Sequence, residues 1–84
     1  MEQFETGMMA RSKSGHDAGK VYVITKVEEA YVYLVDGKVR TLDKPKKKKK
    51  KHVQLIKESF VIQGATDVDI KRWIKIWNKE DNQN

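Results

Sequence analysis

A chain of 84 residues with 18 Lys or Arg against 12 Asp or Glu is one small basic domain. At this length only about 60–65% of the unfolded surface leaves water, so a large substrate pocket is hard to accommodate. With no cysteine, disulfides and thiolate metal sites are excluded. No apolar run approaches the roughly 18 residues of a membrane span. The opening MEQFETG lacks the basic-then-apolar order of a signal peptide, so a cytoplasmic protein with no membrane partner is expected.

The net charge of +6 is local. Residues 1–43 carry six basic and seven acidic side chains, and residues 52–84 carry five of each. All the excess sits in residues 44–51, which are seven lysines and Pro45. One concentrated positive device points to a partner with dense negative charge.

In chain order, residues 1–6 read as a flexible lead and about 7–13 as a first strand. Residues 14–19, SGHDAG, form a tight polar loop, because glycine and aspartate favour turns. Residues 20–27 form a second strand, with Val21 and Val23 on one face and Tyr22 and Ile24 on the other. Apolar side chains on both faces imply cover from two sides, as in a small closed barrel. Residues 31–35, YVYLV, form the clearest strand. Asp36-Gly37 then predicts a hairpin, with residues 38–42 returning antiparallel. The lysine run at 44–51 is expected as a loop, and residues 52–56 as a fifth strand with Val53 and Leu55 inward. Five short strands favour closure, which removes exposed edges.

Residues 60–62, FVI, read as an extended segment sealing the barrel, before a break at 63–65. Thr66 with Asp69 three residues on is a helix-start pattern. Ile70, Trp73, Ile74 and Trp77 then recur on one helical face, and Lys71, Arg72, Lys75 and Lys79 on another. A helix over about 66–79 follows, docked on the 7–62 barrel, and 80–84 is a polar tail.

The pattern Gly7-x-x-Ala10-x-Ser12-x-x-Gly15-x-Asp17-x-Gly19-Lys20-Val21-x-Val23 resembles the KOW motif of ribosomal proteins and transcription elongation factors. The likeness continues through Tyr31-Val32-x-Leu34-Val35-Asp36-Gly37, Arg40, Lys44-Pro45-Lys46 and Lys51-His52-Val53. These are similar to bacterial KOW-domain RNA-binding proteins, themselves similar to a KOW-type protein of the archaeal and eukaryotic large ribosomal subunit. The resemblance spans about residues 7–58. It implies an SH3-like barrel that binds structured RNA, usually ribosomal, with ribosomal proteins as further partners. His16 stands where the family is expected to have Arg, which replaces a fixed charge by an imidazole.

Candidate RNA-binding residues are Lys13, Ser14, Gly15, His16 and Lys20 of the 14–19 region, Arg40, and Lys44, Lys46, Lys47, Lys48, Lys49, Lys50 and Lys51. Lysines crowded between two strands repel one another, and a polyanion relieves that repulsion. The plainer alternative is a solvated, solubilising loop. Lys71, Arg72 and Lys75 are either a solvated helix face or a second RNA contact. Tyr22, Tyr31 and Tyr33 fit core or rim packing better than base stacking, and Trp73 and Trp77 fit the docked face of the helix. His16 and His52, far apart and without cysteine or paired carboxylates, make no metal site. No nucleophile elbow, phosphate loop or His–carboxylate pair appears, so neither enzyme activity nor a cofactor is expected. Two other classes remain open: a protein-interaction module of the transcription machinery, and a non-specific nucleic-acid binder.

Overall fold

The computed structural model describes residues 3–81. Five strands form one antiparallel sheet: β1 (Met8–Ser12), β2 (Val21–Val27), β3 (Tyr31–Val35), β4 (Lys46–Lys49) and β5 (Val53–Ser59). Their order across the sheet is β4-β3-β2-β1-β5. A C-terminal helix, α1 (Asp67–Asp81), packs on one face. No described helix is long and apolar enough to cross a membrane.

β2 is where two apolar layers meet. Side chains alternate along a strand, so Val21 and Val23 join Met9, Val35, Ile70 and Ile74 on one side. Tyr22 and Ile24 join Ala10, Val32, Leu34 and Val53 on the other. The cover on two sides inferred from the alternation of β2 is therefore present. α1 supplies it on the first side, where Ile70 is fully buried and Trp73 and Trp77 pack on the layer. Trp73 stacks on Phe60 with ring centroids 4.5 Å apart. The helix begins as its sequence predicts. The Thr66 hydroxyl accepts from the Asp69 N–H at 3.2 Å, and the Asp69 carboxylate accepts from the Thr66 N–H at 3.0 Å.

The chain after β3 departs from expectation. Residues 38–42 do not return as a strand. Asp36 Oδ1 accepts the backbone N–H groups of Lys38, Val39 and Arg40 at 2.8, 3.0 and 2.8 Å. Three successive donors held by one carboxylate are lost to any ladder. The turn instead rests on the start of α1, where Asp67 Oδ1 accepts the Leu42 N–H at 2.8 Å.

β3 finds its partner in the lysine run. The expected loop at 44–51 is in fact β4 followed by a three-residue 3-10 turn, Lys50–His52. β5 accordingly starts at Val53, after His52, and runs to Ser59. Lysine has little strand propensity, so tertiary pairing decides here. Tyr31, Val32, Tyr33 and Leu34 pair with Lys49, Lys48, Lys47 and Lys46.

The ends differ too. Phe4 packs against the second apolar layer, so the lead expected at 1–6 is held at that residue, and residues 1 and 2 lie outside the described part. α1 continues two residues past 79 into the expected tail, and residues 82–84 are again outside the described part. In the 60–62 segment Phe60 and Ile62 pack on the first layer, whereas Val61 is exposed.

Candidate nucleic-acid interface

The pairing of β4 with β3 divides the lysines by parity. Lys46 and Lys48 lie opposite Leu34 and Val32, whose side chains are buried, and so point inward. Lys47 and Lys49 lie opposite Tyr33 and Tyr31 and point outward, exposed. Lys47 Nζ sits 4.4 Å from the Tyr31 ring centroid and 5.9 Å from that of Tyr33. Stacking a lysine over an aromatic face is favourable because the ring quadrupole attracts a cation. The two tyrosines thus form a rim under the lysines, while Tyr22 is a core residue.

The inward lysines meet Asp17, a buried carboxylate in the 14–19 loop. Lys48 Nζ is 2.9 Å from Asp17 Oδ1 and donates to the Ser14 carbonyl at 2.8 Å. Lys46 Nζ is 3.5 Å from Asp17 Oδ2. The hydroxyls of Ser12 and Tyr22 donate to the same carboxylate at 2.9 and 3.3 Å. Burial opposes ionisation of Asp17, but hydrogen bonds from Lys48 and Ser12 and the charges of Lys46 and Lys48 outweigh it. The carboxyl is held well below the usual carboxylate range. Burial and the neighbouring Asp17 push the Tyr22 phenol up to about 12. No described buried side-chain N or O lacks a partner.

This clamp fixes the loop against the lysine strand, and the loop's own backbone completes the joint. The Ala18 and Lys20 N–H groups donate to Gly15 and Asp17 carbonyls at 3.2 and 3.0 Å. Gly15 has φ +87°, which side-chain-bearing residues rarely adopt. The Lys13 N–H donates to the His52 carbonyl at 2.8 Å, placing Lys13 beside the 3-10 turn. There Lys51 is exposed and Lys50 Nζ lies 5.5 Å from the Phe4 ring.

The candidate residues therefore separate into groups. His16, Lys20, Arg40 and Lys46 line one hollow of about 170 Å³, with Tyr22 and Asp17 in its wall. Lys13, Lys47, Lys49 and Lys51 are exposed and lie outside its lining. Ser14 contributes its carbonyl to the clamp, and Lys44 is exposed in the turn before β4. On α1, Lys71, Arg72 and Lys75 are all exposed. Lys71 and Lys75 line an adjoining cleft that shares Lys20, Asp36 and Val39 with this hollow. Lysines are not equivalent here: two of the seven neutralise a buried acid, and Lys47 is 3.8 Å from Glu28.

Asp17 is the residue whose role sequence reasoning overlooked, read there as a turn former and a position of the KOW-like pattern. The signal was available in the alternation of Tyr31 and Tyr33 with Val32 and Leu34. Any strand paired with β3 inherits that alternation, so every second lysine must face inward and needs an acid. Among the described residues no group of three or more His, Cys, Asp or Glu side chains comes together as a metal site. Comparison with models of known protein families and with curated proteins finds no match to this chain.

Proposed function

We propose that the protein is an RNA-binding module that meets RNA phosphates with β4, the 3-10 turn and the 14–19 loop. The observation that carries this reading is the Asp17 clamp. It joins the loop to the lysine strand, so that His16, Lys20, Arg40 and Lys46 line one hollow, Lys13 neighbours the 3-10 turn that carries Lys51, and Lys47 and Lys49 project from the other face of the same strand. Lysines are point charges with little base specificity, and recognition is by backbone and shape, as for folded RNA. Ribosomal RNA is the first target to test, on the strength of the KOW resemblance.

The connection between β4 and β5 supports an SH3-like barrel. In a flat sheet these end strands stand four spacings apart, about 19 Å. A three-residue 3-10 turn advances only about 2 Å per residue. The sheet must therefore curl to bring its ends together, with the Ala10, Tyr22, Ile24, Val32, Leu34 and Val53 layer inside the curve.

The test is co-sedimentation with ribosomal subunits over a salt series, alongside a Lys49→Ser/Lys51→Ser variant. Wild-type binding is expected to weaken with salt, and the variant to lose about 1.4–1.8 from the log–log slope, at 0.7–0.9 per phosphate contact. No association with ribosomes or extracted ribosomal RNA at low salt would sink the reading.

A further inference from the structure

Across Val39 from that interface lies a larger and more strongly charged hollow. α1 and the turn after β3 enclose an open cleft of about 720 Å³. Its cations are Lys20, Lys38, Lys71 and Lys75, and its one carboxylate is Asp36. Oδ1 of Asp36 is already occupied by three backbone N–H groups. None of the four lysines forms an ion pair among the described side chains. The smaller hollow, by contrast, sets Lys20, Arg40 and Lys46 against both Asp17 and Asp36. The cleft beside α1 therefore has the greater unbalanced positive charge.

Its floor is aliphatic. Val21 and Ile74 are 8% and 9% exposed and form the base, and Val39 stands in the wall at 73% exposure. The lining holds no aromatic ring and no arginine. Unpaired bases stack on aromatic faces, and a bare phosphate strand would leave these aliphatic groups unmatched. Carboxylates flanking an aliphatic side chain match both features, and Asn78 in the lining offers an amide to a peptide backbone. A volume of this size is in the range of ligand clefts.

We propose that this cleft docks an acidic, amphipathic segment of a protein partner. Carboxylates of the segment meet Lys20, Lys38, Lys71 and Lys75, and an aliphatic side chain seats between Val21, Val39 and Ile74. The protein would then hold an acidic polypeptide on its helix side, with Lys20 common to this cleft and to the smaller hollow.

The probe is a blocked peptide, Glu-Glu-Leu-Asp-Glu-Leu-Glu, titrated into the isotope-labelled full chain while amide shifts are followed. A second peptide with both leucines replaced by serine is the control, and a short RNA hairpin is titrated separately. Saturable shifts are expected at Val39, Ile74 and Asn78, with Lys47 and Lys49 unmoved. The serine peptide should bind about tenfold more weakly, the loss expected for about 1.4 kcal/mol of aliphatic burial. Val39→Ser should weaken the leucine peptide to a similar degree. Lys71→Gln/Lys75→Gln, changes at exposed positions, should weaken both peptides. Equal affinity for the two peptides, or shifts confined to β4, would overturn the proposal. So would an RNA hairpin that moves the Val39, Ile74 and Asn78 amides when the peptide does not, which would return the cleft to the nucleic-acid surface.

Discussion

Lys48 Nζ lies 2.9 Å from Asp17 Oδ1, and the two residues are 31 apart in sequence. The lysine side chain is 11% exposed and the aspartate 8%, so Lys48 depends on Asp17 for compensation, while Asp17 also has Lys46 at 3.5 Å. Lys48→Met is expected to cost about 3 kcal/mol in urea denaturation, because breaking a buried pair leaves the Asp17 carboxylate with only the more distant Lys46 to compensate it. Asp17→Asn/Lys48→Met should recover about 1–2 kcal/mol relative to the sum of the single changes. Additive losses would mean that the pair is not coupled.

The same carboxylate sets an acid limit. Its folded pKa is below the unfolded value near 3.8, so the unfolded chain takes up protons first on acidification. The stability it contributes is complete above that value and disappears as pH falls toward the folded pKa. The denaturation midpoint should decline below about pH 4. In Asp17→Asn the midpoint starts lower at neutral pH and declines less steeply over that range.

Tyr22 makes the opposite prediction at high pH. Its folded pKa is raised from 10.0 to about 12, so its contribution is complete below 10 and is lost as pH rises from 10 to 12. A phenolate absorbance titration should show one late-ionising tyrosine, and Tyr22→Phe should remove it.

Gly37 has φ +78°, and a Cβ built there stands 2.2 Å from the Asp67 carbonyl oxygen. Gly37→Ala therefore combines a disfavoured conformation with a backbone clash between the turn after β3 and the start of α1. A loss of about 2 kcal/mol or more is expected. Gly64→Ala shares the positive φ but meets nothing within 4 Å, and should cost about 1 kcal/mol.

Docking of α1 is testable at Ile70, fully buried in the layer with Met9 and Val23. Ile70→Ala should cost about 3 kcal/mol by thermal or urea unfolding. Thr66→Ala, which removes only the cap, should cost about 1 kcal/mol. Equal losses would mean that the helix is held by its end and not by its face.

β1, β2, β3 and α1 were legible because local signals and tertiary pairing agree there. The β-branched alternation of β2 and β3 and the Ile70–Trp73–Ile74–Trp77 spacing each specify a buried face. The turn after Asp36 was misread because Asp-Gly fits a two-residue hairpin equally well. What excludes the hairpin is one side-chain oxygen gathering three N–H groups, and sequence does not reveal that geometry. The lysine strand was misread because propensity opposes it and pairing with β3 overrides it. The charge of the candidate interface could be seen in advance, but its division into inward and outward lysines required the register.

β4 is the last strand in the sheet order, and among the described residues its one ladder partner is β3. Lys47 and Lys49 stand exposed on one face of that strand. Two molecules approaching edge to edge would bring like charges into register, which discourages strand addition. The protection is conditional, because it lasts only while those charges are unscreened. A long polyanion that neutralises β4 on several molecules at once would also remove the barrier to their zipping together. Crowding many copies onto one long polyanion would thus be the condition in which this small protein is most exposed to self-assembly.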